Sequence, residues 1–277
     1  MTPFVKMQGI GNDFVFLDVI QNPKMPADLA EFARHICDRR FGVGSDGLIL
    51  LENGDAAPFR MRMFNPDGRE SEMCGNGIRC FAKLVRDHGH SMENQISVET
   101  GAGILHLQIA ENGDVEVNMG QAKLSFAAIG ISGTGKRFVD EPLGVELNGT
   151  DLFGTAISMG NPHLVIFTDD LAAVPLAEIG PILEHHPQFV NRTNVHFVEV
   201  VDRGHLKMRT WERGAGATLA CGTGACSVGV AGFLNGHSDR LTQIDLPGGR
   251  LQIDYREDET VFMTGPAVTV FHGVWPD

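Results

Sequence analysis

Nowhere in the 277 residues does an apolar run approach the roughly 18–20 residues that a membrane-spanning helix needs. There is no basic tract either: Lys and Arg total 22 against 35 Asp and Glu, a formal net charge of −13. A surface of that sign repels phosphate backbones and anionic headgroups, so neither nucleic acid nor membrane is an expected partner. The opening MTPFVKMQGIGNDF lacks the basic-then-apolar layout of a signal peptide, and a cytoplasmic location is expected. Cysteine is scarce and odd in number, with Cys37, Cys74, Cys80, Cys221 and Cys226 too widely spaced for a disulfide framework. No pair has the close spacing of a zinc site, since Cys74 and Cys80 are six apart and Cys221 and Cys226 five, so no metal is expected. A small-molecule enzyme is the class these absences leave.

Glycine is plentiful instead, at 34 residues, which points to many turns or close backbone approaches. β-Rich runs dominate, at 13–20, 47–52 and 59–64, the last with clean alternation. Residues 104–120 predict a hairpin around Asn112-Gly113, where a tight turn needs positive φ. The second half repeats the style, from AISMGNPHLVIFTD to the closing VFMTGPAVTVFHGVW. Four segments predict helices: 28–40 with Asp28 as N-cap and two Arg in the last turn, 75–88 with Ile78, Phe81, Leu84 and Val85 on one face, 176–186, and 222–235. The last is small and apolar nearly all round, which suggests burial on most sides.

A weak internal repeat orders these pieces. GND at 11–13 resembles GNP at 160–162, SDGLILLE at 45–52 lies on TNVHFVEV at 193–200, and CGNG at 74–77 recurs as CGTG 147 residues later. The order is kept, so the chain reads as two similar β-rich domains, each packed on a central helix, with a boundary near 118–122.

Each repeat sets a Cys before Gly-x-Gly at the start of a predicted helix. The N–H groups and positive partial charge there favour a thiolate and cradle an anion, and glycines admit a carboxylate close to the backbone. Two such sites suggest thiols facing each other across a domain cleft. One thiolate would remove the proton α to a carboxylate and the other thiol would protonate the opposite face, inverting the centre without a cofactor.

The segments MQGIGNDF, RRFGVGSDGLILLE, FNPDGRESEMCGNGIRCFA, ETGAGI, GNPHLVIF, RTNV, WERGAGATLACGTGAC and GPAVTVFHG resemble the diaminopimelate epimerase family over nearly the whole chain. The resemblance implies an α/β (α+β) fold of two pseudo-symmetric domains, each with antiparallel strands wrapped around a central helix. It places residues 1–119 in the first domain, joined by the C-terminal strand 265–277, and residues 120–264 in the second. It implies conversion of LL- to meso-diaminopimelate without pyridoxal phosphate, for lysine and peptidoglycan precursors, by a homodimer. Cys74 and Cys221 would be the acid/base thiols, Cys74 the donor and Cys221 the acceptor in the LL-to-meso direction. Gly75, Asn76, Gly222 and Thr223 would hold the reacting carboxylate. Asn12, Asn65, Asn161, Asn194, Glu212 and Arg213 would read ammonium and carboxylate groups, with His163 and Glu212 setting the thiols' protonation. Some relatives carry a Gln where this chain has Gly47, so no contact is expected there.

Taken singly, several of these residues have plainer readings. A lone buried thiol is core filler, and Cys37, Cys80 and Cys226 are read that way; Asn12, Asn161 and His163 alone would be turn residues, and Arg213 a solvated charge. Proline racemases and hydroxyproline epimerases share the opposed-thiol idea, but their substrates have no distal amino-acid centre to occupy Glu212 and Arg213. A zinc-binding structural protein is disfavoured by the cysteine spacing.

Overall fold

The computed structural model describes residues 1–276. In chain order its elements are β1 (Thr2–Gly9), β2 (Asn12–Asp18), α1 (Leu29–Ile36), β3 (Gly47–Asn53), β4 (Phe59–Phe64), β5 (Glu70–Ser71), α2 (Gly75–Asp87), β6 (Gln95–Thr100), β7 (Gly103–Ile109) and β8 (Val115–Gln121). Then come α3 (Phe126–Ile129), β9 (Phe138–Leu147), β10 (Thr150–Ser158), β11 (Pro162–Phe167), α4 (Leu176–Glu184), β12 (Asn194–Asp202), β13 (His205–Glu212) and β14 (Gly216–Thr218). The chain closes with α5 (Gly222–Leu234), β15 (Leu241–Leu246), β16 (Gly249–Tyr255), β17 (Thr260–Gly265) and β18 (Val268–Trp275). It divides into two compact units, residues 1–118 with 264–277, and residues 119–263.

In the first unit the strands run β18-β1-β2-β3-β4-β6-β7-β8. Most neighbours are antiparallel, but β2–β3 and β4–β6 are parallel. Parallel neighbours need a crossover, and α1 and α2 supply it. The second unit repeats this: β11–β12 and β13–β15 are its parallel pairs, spanned by α4 and α5. The repeat visible in the sequence is thus a repeat of crossovers, and α2 and α5 hold equivalent places in their own units.

Both central helices are buried almost all round. Ile78, Phe81, Leu84 and Val85 form the expected apolar face of α2, but Gly75, Asn76, Gly77, Arg79, Cys80 and Ala82 are buried as well. Each fully buried Ile, Phe, Leu or Val contributes about 1.5–3 kcal/mol, so this packing holds the helix and fixes its N-terminus. In α5, Gly222 and every residue from Gly224 to Gly232 are buried, as its small apolar composition predicts. Cys37, Cys80 and Cys226 are core residues, and burial pushes the Cys80 thiol up to about 12. No disulfide joins any of the five cysteines.

Two helices end earlier than expected, and one hairpin is added. The helix of 28–40 starts at its Asp28 cap, which accepts from Glu31 N–H at 2.9 Å, but ends at Ile36. Val43 and Gly44 N–H bond back to the Ile36 carbonyl, and Asp38 Oδ1 accepts from Arg40 and Phe41 N–H, turning the chain early. The hairpin β9–β10 was not expected, although Asn148 and Gly149 at its turn both have positive φ. The helix of 176–186 is α4 alone and stops at Glu184.

Candidate active site

Cys74 is the N-cap of α2, in extended conformation (φ −136°, ψ 124°) and without a side-chain cap bond. The first helical bond runs from Ile78 N–H to the Cys74 carbonyl at 2.8 Å. The N–H groups of Gly75, Asn76 and Gly77 therefore lie in the turn where a helix has no acceptor of its own, and the dipole adds positive potential. The Cys74 thiol lies 3.6 Å from Asn12 Oδ1, and Asn76 Nδ2 donates to the same oxygen at 3.1 Å. Arg79, fully buried, holds Asn76 from behind: its Nη1 donates to Asn76 Oδ1 at 2.9 Å and to the Gly75 carbonyl at 3.2 Å.

Asn12 is braced in turn. Its Nδ2 donates to Asp46 Oδ2 at 2.6 Å, and Arg39 Nη2 bridges Asp46 and Asp13 at 2.7 Å each. Buried Lys6 pairs with Asp13 and donates to the Gly44 carbonyl. Burial opposes ionisation of Asp13, but Arg39 and Lys6 outweigh it and hold the carboxyl below its usual range. This network explains why α1 ends early, since Arg39 is drawn to carboxylates instead of a helix terminus. Asn65 is half-buried, and its main chain closes a turn with Arg69 and Gly68. At Gly47 a Cβ would lie 2.9 Å from the Phe64 carbonyl oxygen, so the strand has no room there for a longer side chain.

In the second unit Cys221 caps α5 with the same extended backbone (φ −129°, ψ 103°). Its sulfur lies 3.8 Å from Thr223 Oγ1. Burial first, and then the negative charge of Glu212, push this thiol well above the ordinary range, against the Gly224 N–H and the Thr223 hydroxyl. The expectation that a helix N-terminus favours a thiolate therefore fails at Cys221: desolvation and a neighbouring carboxylate win, and the resting group is a thiol. Glu212 Oε1 accepts from Thr218 Oγ1 at 2.5 Å, which turns the carboxylate in place.

His163 is fully buried on β11 and does not bond Cys221 directly. Its Nε2 lies 2.9 Å from Asn161 Oδ1 and its Nδ1 lies 2.9 Å from His196 Nε2. His196 Nδ1 is 3.0 Å from Thr210 Oγ1. With Asn161 Oδ1 as acceptor, the direction is set along the chain: Thr210 donates to His196, His196 to His163, and His163 to Asn161. Burial drives both rings neutral, with His196 down to about 3 and His163 well below its usual value; for His163 a proton would also be opposed by the neighbouring His196 ring and by the charge of Arg213. His196 reaches α5 at Gly224, where a Cβ would lie 2.4 Å from His196 Cε1 and 3.0 Å from Cys221 Sγ. Only glycine lets the ring and the sulfur meet that turn.

Asn194 is committed to the main chain at both ends, donating to the Pro162 carbonyl at 2.8 Å and accepting from Arg213 N–H at 3.0 Å. Arg213 Nη1 in turn donates to the Asn191 carbonyl at 3.0 Å. Beneath this turn sits Glu184, buried at the end of α4. It accepts from Trp211 Nε1 at 2.8 Å, Gly214 N–H at 3.0 Å and Arg192 Nη1 at 2.9 Å.

Comparison with known proteins bears on this arrangement. The sequence profile described as diaminopimelate epimerase matches residues 4–125 and 155–270. A diaminopimelate epimerase of Moorella thermoacetica is 50% identical over 278 residues, covering 99% of each chain. One from Synechococcus elongatus is 51% identical over 273 residues, covering 98% of this chain and 96% of the relative. The chain belongs to the diaminopimelate epimerase family. Solved structures extend the likeness in fold alone. A phenazine biosynthesis protein of the PhzF family from Bacillus anthracis has a TM-score of 0.72 at 17% identity, covering 98% of each chain. A hydroxyproline epimerase from Agrobacterium vitis has a TM-score of 0.66 at 14% identity, covering 98% of this chain and 90% of that one.

For a diaminopimelate epimerase family member, the sequence pointed to Cys74, Asn12, Asn65, Gly75 and Asn76 in one unit and Cys221, Gly222, Thr223, Glu212, Arg213, Asn161, His163 and Asn194 in the other. Asn12 and Asn76 meet at Cys74, and Thr223 and Glu212 at Cys221. Asn161 and His163 reach α5 only through His196, Asn194 and Arg213 bond each other and the main chain, and Asn65 makes only main-chain turn bonds. Arg79, the Lys6–Asp13–Arg39–Asp46 network, His196 and Glu184 were missed. Of these, His196 had a signal: it stands two residues after Asn194 on the same strand, as His163 stands two after Asn161.

Proposed function

We propose that this chain interconverts LL- and meso-diaminopimelate by two-cysteine proton transfer at the α carbon, with no cofactor, in the route to lysine and peptidoglycan precursors. The observation that carries the mechanism is the duplication itself: two buried helices, each N-capped by a cysteine with extended backbone. Relatives about 50% identical over nearly the full length support the substrate.

In this reading the first-turn N–H groups at Gly75, Asn76, Gly222 and Thr223 bind the reacting carboxylate and stabilise charge as the α proton leaves. In the LL-to-meso direction Cys221 accepts that proton and Cys74 donates one to the opposite face. Since Cys221 rests as a thiol, it must first lose its own proton, and Glu212 is the group beside it to take one. Neutral His163 and His196 add no positive charge there, so the carboxylate's influence on the sulfur is undiluted. After a turnover the two thiols have exchanged protonation states, and proton exchange with solvent restores them before the next molecule reacts in the same direction. Arg213 and Glu212 read the charged groups of the substrate, Arg213 held by Asn194, while Asn12, Asn65 and Asn161 supply amide contacts. We further propose a cytoplasmic homodimer; no described helix is long and apolar enough to cross a membrane.

The test is α-proton exchange. Reduced chain with LL-diaminopimelate in D₂O, without pyridoxal phosphate, should lose the α-CH signal in proton NMR while the meso isomer appears. Cys74→Ala and Cys221→Ala should each reduce turnover at least about 10²-fold, the lower range for losing a general acid or base, and leave the far-ultraviolet circular dichroism unchanged. Near-normal turnover in either variant removes that thiol from the mechanism. Exchange of hydroxyproline but not of diaminopimelate would overturn the substrate.

A further inference from the structure

The other end of α2 carries a side-chain cluster that this reaction does not use. His88 is the C-cap of α2, Gly89 takes φ +74°, and His90 N–H returns to the Val85 carbonyl at 3.0 Å. That left-handed glycine reverses the chain and brings both imidazoles to one carboxylate. Asp18, the last residue of β2, meets His88 Nδ1 at 2.6 Å and His90 Nε2 at 2.7 Å, both on Oδ2. Its Oδ1 accepts instead from Gln21 N–H at 3.1 Å. The Asp18 side chain is 3% exposed, with His88 at 18% and His90 at 12%. One ligand atom from each of the three lies within 4.8 Å of the others.

We propose that Asp18, His88 and His90 bind a divalent transition cation of the zinc type, through two imidazole nitrogens and one carboxylate oxygen, with solvent completing the shell. The donor set suits such an ion better than magnesium or calcium, which prefer oxygen ligands alone. Tetrahedral zinc with bonds near 2.0–2.1 Å spaces its ligand atoms by about 3.3 Å. The two carboxylate–imidazole contacts need to open by only about 0.6 Å, a side-chain adjustment, and the two ring nitrogens already lie within 4.8 Å of each other. Three further features support it. The Gln21 N–H fixes the second carboxylate oxygen, as outer-shell partners of metal ligands do. The His272 ring stacks on His88, with centroids 6.3 Å apart and planes at 19°. The C-terminus of α2 adds negative potential that favours a cation. Partial exposure of both rings gives the ion a path in.

Protons balance simply. Without an ion, the ring nitrogen of each histidine that faces Asp18 carries the donated proton. On binding, that nitrogen becomes a ligand and gives its proton up to solvent, and the bound ring carries its N–H on the other nitrogen. The site lies about 20 Å along the helix from Cys74, at 1.5 Å per residue over 13 residues, so it acts on stability and not on the chemical step.

The full chain, stripped with chelator, would be titrated with Zn²⁺ by calorimetry and with Co²⁺ by absorption, and melted with and without Zn²⁺. His88→Gln and His90→Gln are the variants, since a Gln amide still donates to Asp18. We expect one ion per chain, a higher Tm with Zn²⁺, and a Co²⁺ spectrum with weak d–d bands only. Each variant should bind more than about 100-fold more weakly, beyond the usual outer-shell loss, and keep the wild-type rate of α-proton exchange. Absence of binding, unchanged affinity in both variants, or a thiolate-to-Co²⁺ charge-transfer band would each overturn the site, the last by assigning the ion to cysteine.

Discussion

At Cys221 three effects act on one sulfur. Burial disfavours the thiolate most and the Glu212 carboxylate disfavours it further, while the Gly224 N–H and the Thr223 hydroxyl favour it, each less strongly than either opposing effect. Glu212→Gln removes a charge without changing shape, so the pH midpoint for alkylation of Cys221 should move down while burial keeps it above that of an exposed thiol. Turnover should fall at least about 10²-fold through loss of a general base. Peptide-resolved mass spectrometry across a pH series measures the first, and an unchanged or higher midpoint would refute the charge coupling. Both thiols and Glu212 were legible in the sequence because each stands in a short contiguous motif. Their environment was not. Desolvation of Cys221 depends on strands far along the chain, and no local pattern shows it beating a helix dipole.

Among the elements, the same limit decided what could be read. α2 and α5 were visible from their apolar spacing and the Cys-Gly-x-Gly starts. The hairpin β7–β8 was visible from Asn112-Gly113, where Gly113 takes φ +88°. The hairpin β9–β10 turns on an equivalent Asn148-Gly149, but its strands show weak alternation because five of the ten β9 residues are exposed. Glu184 was hidden for another reason: its partners Trp211 and Gly214 lie some thirty residues away. Those bonds pin the turn from β13 to β14 that presents Glu212 and Arg213. Glu184→Ala leaves three donors without their charged acceptor and should cost about 2–4 kcal/mol in denaturant unfolding. It should also raise KM for diaminopimelate more than it lowers kcat, because the turn loses its aim while both thiols stay in place. Glu184→Gln keeps one acceptor oxygen, enough for Gly214 N–H or for Trp211 Nε1 but not both, since these bond different carboxylate oxygens, and should recover part of the KM. Equal KM values for the Ala and Gln variants would mark Glu184 as structural support alone.

Across the whole molecule the two units share a plan and differ in chemistry. Amides and a buried arginine surround Cys74, whereas Cys221 has a carboxylate and, at the next turn, a pair of neutral imidazoles. That difference has a consequence for stability. His163 and His196 stay neutral in the fold, His196 down to about 3, while in the unfolded chain an imidazole takes up a proton near pH 6.5. Between those values the unfolded state binds more protons, so stability must fall as pH falls, by up to about 1.4 kcal/mol per pH unit for each ring. The carboxylates act later. Burial of Glu184 opposes its ionisation, but Trp211 and Gly214 outweigh this and hold it below 4.5, so its contribution is intact above that pH and is lost only below it. Denaturant unfolding from pH 7.5 to 5 therefore isolates the imidazoles. His196→Gln should be less stable than the parent at pH 7.5, having lost a fitted ring beside Gly224, yet show a shallower decline toward pH 5. Parallel declines in the two proteins would mean that His196 already carries its proton in the fold, and the one-way chain from Thr210 to Asn161 would be wrong.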